Sequence, residues 1–359
     1  MTEQKKFSID WALMTGLLTL SAISLFVLYS AGDQNTDLLI RQSIRITLAF
    51  VVMLVVARVT PEQLLRWTPY IYSIGILLLV IVLGAGVIGK GAQRWIDIGF
   101  VRFQPAEMMK LAVPMMVAWV MVKKPLPASL PTAILGFIVV AIPAFLVIKQ
   151  PDLGTAILIA ASGLVVIFFA GMSWRIIAVL AGLLAAAAPL GWYLIRDYQR
   201  QRILTLFDPW SDPLGAGYHT IQSAIAVGSG GMYGKGWLNG SQSQLDFIPE
   251  RSTDFIFAVF SEEFGFIGSL MLLIAYLFVI GRSLYIAIEA KDSYTRLLCG
   301  SLAVTFAIYV FVNIGMVTGI LPIVGVPLPL ISYGGTSMVS LMAGFGILMS
   351  AYSNRWFMH

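Results

Sequence analysis

The chain has 359 residues, 58% hydrophobic and only 11% charged, with a mean hydropathy of +0.87, where soluble domains carry about 25% charged residues. A water-soluble globule is excluded, and the net charge of +5 comes with no soluble basic segment of the kind a nucleic-acid partner needs. One cysteine, Cys299, and two histidines, His219 and His359, exclude a disulfide framework and a Cys/His zinc site.

From the amino terminus, Lys5 and Lys6 precede an apolar run that continues through Leu28, longer than the core of a cleavable signal peptide, so this run is expected to stay as the first membrane helix. Further apolar runs follow at Leu39 to Val59, Tyr70 to Ile88, Ala106 to Val122, Thr132 to Ile148, Leu153 to Gly171, Ile176 to Ile195, Phe255 to Gly281, Leu297 to Ile320 and Gly335 to Tyr352. Each suits a span of about 17–25 residues. The expected fold is all-α: a polytopic integral membrane protein with about ten transmembrane helices in a single membrane domain. With the amino terminus inside, the inner connections carry Arg58, Arg66, Lys123, Lys124, Arg175, Arg282, Lys291, Arg296 and Arg355. The outer connections Gly32 to Asp37 and Leu321 to Ser332 carry no Lys or Arg, as the positive-inside rule expects. No internal repeat supports an inverted-repeat transporter.

Three outer segments break that charge rule. Between spans three and four lie Lys90, Arg94 and Arg102; cations beside apolar helices at an outer surface suit an anionic lipid-linked substrate such as a diphosphate headgroup. On the fourth helix, Glu107 and Lys110 stand at i and i+3, which permits an ion pair or a lysine turned toward phosphate. Lys149, Gln150, Pro151 and Asp152 then interrupt an apolar stretch; Pro151 ends the fifth helix, and Asp152 caps the sixth or does more.

Residues 196–252 form the longest connection and contain Arg200, Arg202, Lys235 and Arg251. Their aromatic and apolar content predicts one large structured extracytoplasmic loop, and the charges can equally be solvated there. Its Gly228 to Gly236 run misses the phosphate-loop spacing. His219 has no triad partners at a recognisable spacing and is expected to be structural.

Asp254 opens the eighth span. A straight climb from Gly281 places it about 12 Å above Glu262, at headgroup depth; the alternative is a helix cap formed with Thr253. Glu262 and Glu263 are adjacent acids in an apolar helix, able to reach water, to pair with a base such as Lys110, or to act chemically. The Pro/Gly-dense run Gly319 to Gly335 is expected to wall a cavity, because irregular backbone at membrane depth needs protein or water around it.

Six segments carry a resemblance: Lys90 to Asp97 with Trp95, Gln150 to Thr155, Asp208 to Gly217, Pro249 to Phe255 with Glu250, Glu262 to Gly265, and Leu330 to Gly335 with Ser332. In this order they closely resemble the SEDS family, over nearly the whole chain, with the wording of its elongation rather than its division member. The resemblance implies a peptidoglycan glycosyltransferase of the bacterial inner membrane that uses lipid II on the outer face. It implies that the family's essential aspartate falls on Asp254 and its outer-loop tryptophan on Trp95. It also implies a class B penicillin-binding protein transpeptidase as partner, within a rod-shape elongation complex. No cofactor is required, although a divalent cation, Mg²⁺ or Mn²⁺, could bridge a diphosphate with Asp254 or Asp152. A lipid flippase and a non-catalytic scaffold for the transpeptidase are the rival readings.

Overall fold

The computed structural model describes residues 8–89, 92–97, 102–172, 197–213, 217–245 and 250–354, together with positions 174, 178, 179, 182, 186, 215, 247 and 248. The seventh expected span, Ile176 to Ile195, lies mostly outside the described residues, as does Lys90.

The chain is mostly helical. Helices α1 (Trp11–Ala31), α2 (Thr36–Val56) and α3 (Pro61–Ala85) are followed by strands β1 (Val87–Gly89), β2 (Ala92–Asp97) and β3 (Arg102–Phe103). Then come α4 (Pro105–Met121), α5 (Leu130–Lys149) and α6 (Leu153–Phe169), and the short helices α7 (Asp197–Phe207), α8 (Tyr218–Ser229) and α9 (Ser241–Gln244). Helices α10 (Ile256–Glu289), α11 (Ser293–Val317) and α12 (Thr336–Ser353) complete the chain. Among the described residues, seven helices are long and apolar enough to cross a membrane: α1, α2, α3, α5, α10, α11 and α12.

Polar residues before the apolar runs start the helices. Asp10 accepts from Leu13 N at 2.7 Å, Asn35 caps α2, Thr60 and Gln63 form a capping box around Pro61, and Asp292 accepts from Thr295 N at 2.8 Å. Of these seven, helix α11 is the most enclosed, whereas α2, α3 and α10 turn most of their surface outward. Where helices touch closely, glycine makes room: a Cβ on Gly346 of α12 would meet Met53 O of α2 at 2.6 Å.

One departure from the all-α expectation is the small antiparallel sheet β1-β2-β3, with Val87 opposite Trp95 and Asp97 opposite Arg102. Its strands are too short, and too mixed in polarity, to show a period in the sequence.

Helix α10 is broken at Gly265 (φ 65°, ψ −162°), a left-handed position that suits glycine. The glycine-rich turn 230–236 repairs the break. In a regular helix Phe266 N and Ile267 N would donate to Glu262 O and Glu263 O. Here they donate to Gly231 O at 2.9 Å and Met232 O at 3.1 Å, while the two glutamate carbonyls accept from Lys235 N and Gly236 N, both at 3.0 Å. Four backbone groups released by the kink have thus found partners in the turn.

At the other end of the bundle, Asp10 is fully buried and receives the Arg282 guanidinium at 2.6 to 3.1 Å, while Ser8 N donates to Ser353 Oγ. This ties the starts of the chain and of α1 to the far ends of α10 and α12. Arg282→Met leaves the Asp10 carboxylate buried without its counter-charge. A destabilisation of roughly 3 kcal/mol is expected, read as a lower apparent melting temperature of the detergent-solubilised protein.

Candidate functional site

The connection between α11 and α12, residues 318–335, is irregular yet largely enclosed, and side chains from five helices satisfy its carbonyls. Arg202 of α7 donates to Ile323 O (2.9 Å), Asn313 of α11 to Val326 O (2.7 Å), Tyr276 of α10 to Pro329 O (2.7 Å), Ser24 of α1 to Ile331 O (2.7 Å) and Gln42 of α2 to Ser332 O (3.3 Å). It borders a small crevice lined by Tyr309, Pro327, Leu330, Ser332, Ser337 and Leu341. A second, larger crevice, sharing Tyr309 and Leu341, continues between α4, α11 and α12 past Lys110, Phe306 and Leu348.

Asp254 lies against this connection. Its carboxylate faces Gly325, where an added Cβ would sit 3.6 Å from Asp254 Oδ2 and where φ is +71°. At that position the carboxylate meets a glycine rather than a side chain. The three carbonyls leading to the carboxylate are all engaged: Ser252 O by Tyr333 N (2.8 Å), Thr253 O by Ser332 Oγ (2.6 Å) and Asp254 O by Asn313 Nδ2 (2.8 Å). Glu250 starts the turn, its carboxylate accepting from Thr253 Oγ1 at 2.8 Å. The capping alternative for Asp254 does not hold, because α10 begins at Ile256, its N-cap is Phe255 and no side chain caps it. The straight climb assumed for its height does not hold either, because α10 is broken at Gly265.

Next to Phe255, the His219 ring is stacked on that side chain with centroids 5.7 Å apart. Burial holds its pKa below the ordinary value, Glu250 opposing and Arg202 reinforcing that, so the imidazole is neutral at pH 7.

The other candidate residues form three clusters. In the first, Asp152 caps α6 through Thr155 N (3.2 Å), accepts from Gln104 Nε2 (3.1 Å) and pairs with Arg94 (3.5 Å), which also donates to the carbonyls of Gln150 and Pro151. This cluster adjoins the Asp254 wall, since a Cβ on Gly154 would lie 2.5 Å from Val324 O. In the second, Lys110 Nζ meets Glu107 Oε1 at 2.6 Å, Glu107 Oε2 accepts from Ser340 Oγ at 2.8 Å, and Lys110 lies over the Tyr309 ring. In the third, fully buried Glu262 accepts from Lys235 Nζ (2.7 Å), Ser241 Oγ (3.2 Å) and Gln242 N (2.9 Å). Its neighbour Glu263 accepts from Ser30 Oγ. For Glu262 the expected pairing with Lys110 is thus replaced by Lys235, because Lys110 is already committed to Glu107 on its own helix.

The cations expected to meet a diphosphate are held by the protein itself. Arg94 is with Asp152, Lys110 with Glu107, Arg102 with Asp97 (3.2 Å) and Arg251 with Asp33, while Arg202 holds Ile323 O. Arg200 is half-buried on α7, and Trp95 is half-buried on β2. Sequence reading missed Asn313, Gln104 and Arg45. The guanidinium of Arg45, on α2, stands 4.3 Å over the Tyr333 ring and borders Gly335. An arginine inside an apolar run is itself a functional signal, and reading Leu39 to Val59 simply as apolar hid it.

Comparison with known proteins places the whole arrangement. The profile of the FtsW/RodA/SpoVE family, described as "Cell cycle protein", matches residues 4–355. The peptidoglycan glycosyltransferase MrdB of Escherichia coli K12 is 52% identical over 351 residues, covering 98% of this chain and 95% of that protein. A chain of a solved peptidoglycan synthase complex that coordinates polymerization and crosslinking aligns with a TM-score of 0.85 at 31% identity, over 98% of this chain and 99% of that one. The rod shape determining protein RodA of Thermus thermophilus aligns at 0.75 and 27% identity, with the same coverage. The resemblance noted in the sequence is borne out: the chain belongs to the FtsW/RodA/SpoVE family.

Proposed function

We propose that this protein is a peptidoglycan glycosyltransferase that polymerises lipid II into β-1,4 glycan strands at the outer face of the bacterial inner membrane during elongation. Its likeness to MrdB supports the activity, and the presentation of Asp254 carries the mechanistic reading. One carboxylate, on a turn whose backbone is held at three successive carbonyls, lies beside a glycine of the α11–α12 connection.

The donor sugar is axially linked to its diphosphate and the product is β-linked, so one inverting displacement suffices and no covalent enzyme intermediate is needed. Asp254 takes the proton of the acceptor GlcNAc 4-hydroxyl as that oxygen bonds the donor MurNAc carbon. The bond to the diphosphate oxygen breaks with its electron pair. Undecaprenyl diphosphate leaves unprotonated, its charge met by cations. Arg94, Arg202 and Arg251 supply that charge by exchanging an internal partner for phosphate oxygens, as do Arg102, Arg200, Lys90 and Lys110 where they reach. Among the described residues no three His, Cys, Asp or Glu side chains converge; a divalent cation, Mg²⁺ or Mn²⁺, would be held by Asp254 or Asp152 and would help neutralise the diphosphate.

The distribution of Lys and Arg supports cytoplasmic termini with Asp254 facing the periplasm. The solved complex of a family relative supports a class B transpeptidase as partner, within an elongation assembly. The test is purified protein, with that transpeptidase, given lipid II in vesicles. Glycan chains that depend on Asp254 support the reading, whereas labelled lipid crossing the vesicle with no polymer formed favours a flippase.

A further inference from the structure

Asn313 sits near the C-terminal end of α11, fully buried among apolar neighbours. Both hydrogens of its amide nitrogen are used, one on Asp254 O at 2.8 Å and one on Val326 O at 2.7 Å. Its carbonyl oxygen, Oδ1, is buried and accepts nothing. An unpaired buried acceptor costs about 1–3 kcal/mol, so net stability is a poor reason for the side chain, and its two donors are the better one. Those donors join two backbones that are far apart in sequence. One belongs to the residue bearing the carboxylate; the other belongs to Val326, which follows the Gly325 wall that the carboxylate faces.

We infer that Asn313 is a positioning residue: its amide sets the separation between the Asp254 carboxylate and the Gly325 wall, and so the gap into which the acceptor hydroxyl fits. The inference rests on reading Asp254 as the base. Ser332 and Tyr333 hold the preceding carbonyls from the same connection, so the three ties act together, while Asn313 bonds the backbone on both sides of the gap.

Asn313→Asp keeps the shape and replaces the donors with oxygens facing two carbonyls; Asn313→Ala removes the group. A misplacement of about 1 Å costs on the order of 100-fold in rate, so both variants are expected to lose about that much in kcat, with KM for lipid II within about threefold. A second measurement does not depend on catalysis. In the full-length protein, backbone amide exchange in residues 252–256 and 322–333 is expected to quicken roughly tenfold, as loss of one hydrogen bond predicts, while α2 and α3 keep their wild-type rates. Polymerisation within threefold of wild type in both variants overturns the inference, and so does unchanged exchange in those two segments. If exchange quickens as stated but Asp254→Asn still polymerises normally, the tie stands and the base assignment is what fails.

Discussion

Asp254→Asn is expected to slow glycan polymerisation by about 10²–10⁴-fold, the range for removing a general base, with little change in KM for lipid II. The substitution is nearly isosteric. The ties to Tyr333, Ser332 and Asn313 all run through the backbone carbonyls of residues 252–254, so the turn keeps its place when the carboxylate is lost. Asp254→Glu retains the acid but moves it by about one methylene, and should fall between the two. Single-turnover polymerisation with the transpeptidase present checks this. Undiminished polymer from Asp254→Asn would remove the carboxylate from the mechanism, whatever else the protein does.

Gly234→Ala should damage the fold most per atom added. Gly234 has φ +80°, and a Cβ there would lie 2.1 Å from Glu263 O, one of the carbonyls that the turn supplies at the α10 break. Left-handed backbone costs a non-glycine residue about 1–2 kcal/mol, and overlap with fixed backbone about 1–3 more. The sum, roughly 2–5 kcal/mol, corresponds to a fall of about 3–7 °C in apparent melting temperature for a chain of this length. Gly228→Ala is the control, because that glycine is helical with open space around it, and it should be neutral or slightly stabilising.

These particulars show how far the sequence could be read. Apolar run lengths located the long helices, since a bilayer sets one scale for all of them. Pro151 and Asp152 correctly marked the end of α5 and the cap of α6. The Pro/Gly run before α12 correctly signalled irregular backbone enclosed by protein. Pairing was less legible. Lys235 with Glu262, Arg251 with Asp33 and Arg282 with Asp10 join residues far apart in the chain, and spacing holds no information about them. The small sheet was missed because three short strands bury too little to leave a pattern, and Asn313 because one amide in an apolar helix carries no periodic signal.

The repaired break in α10 also constrains how the protein is made. The turn at 230–236 leaves the ribosome before the helix it completes, yet it finds its partners only once Ile267 has emerged. Until then the carbonyls and amides on either side of Gly265 stand open in a segment bound for lipid, where each such group costs several kcal/mol. Insertion of that helix and docking of the upstream turn are therefore one event. A nascent chain arrested short of residue 267 should expose its glycine turn to protease, and one released beyond that point should shield it.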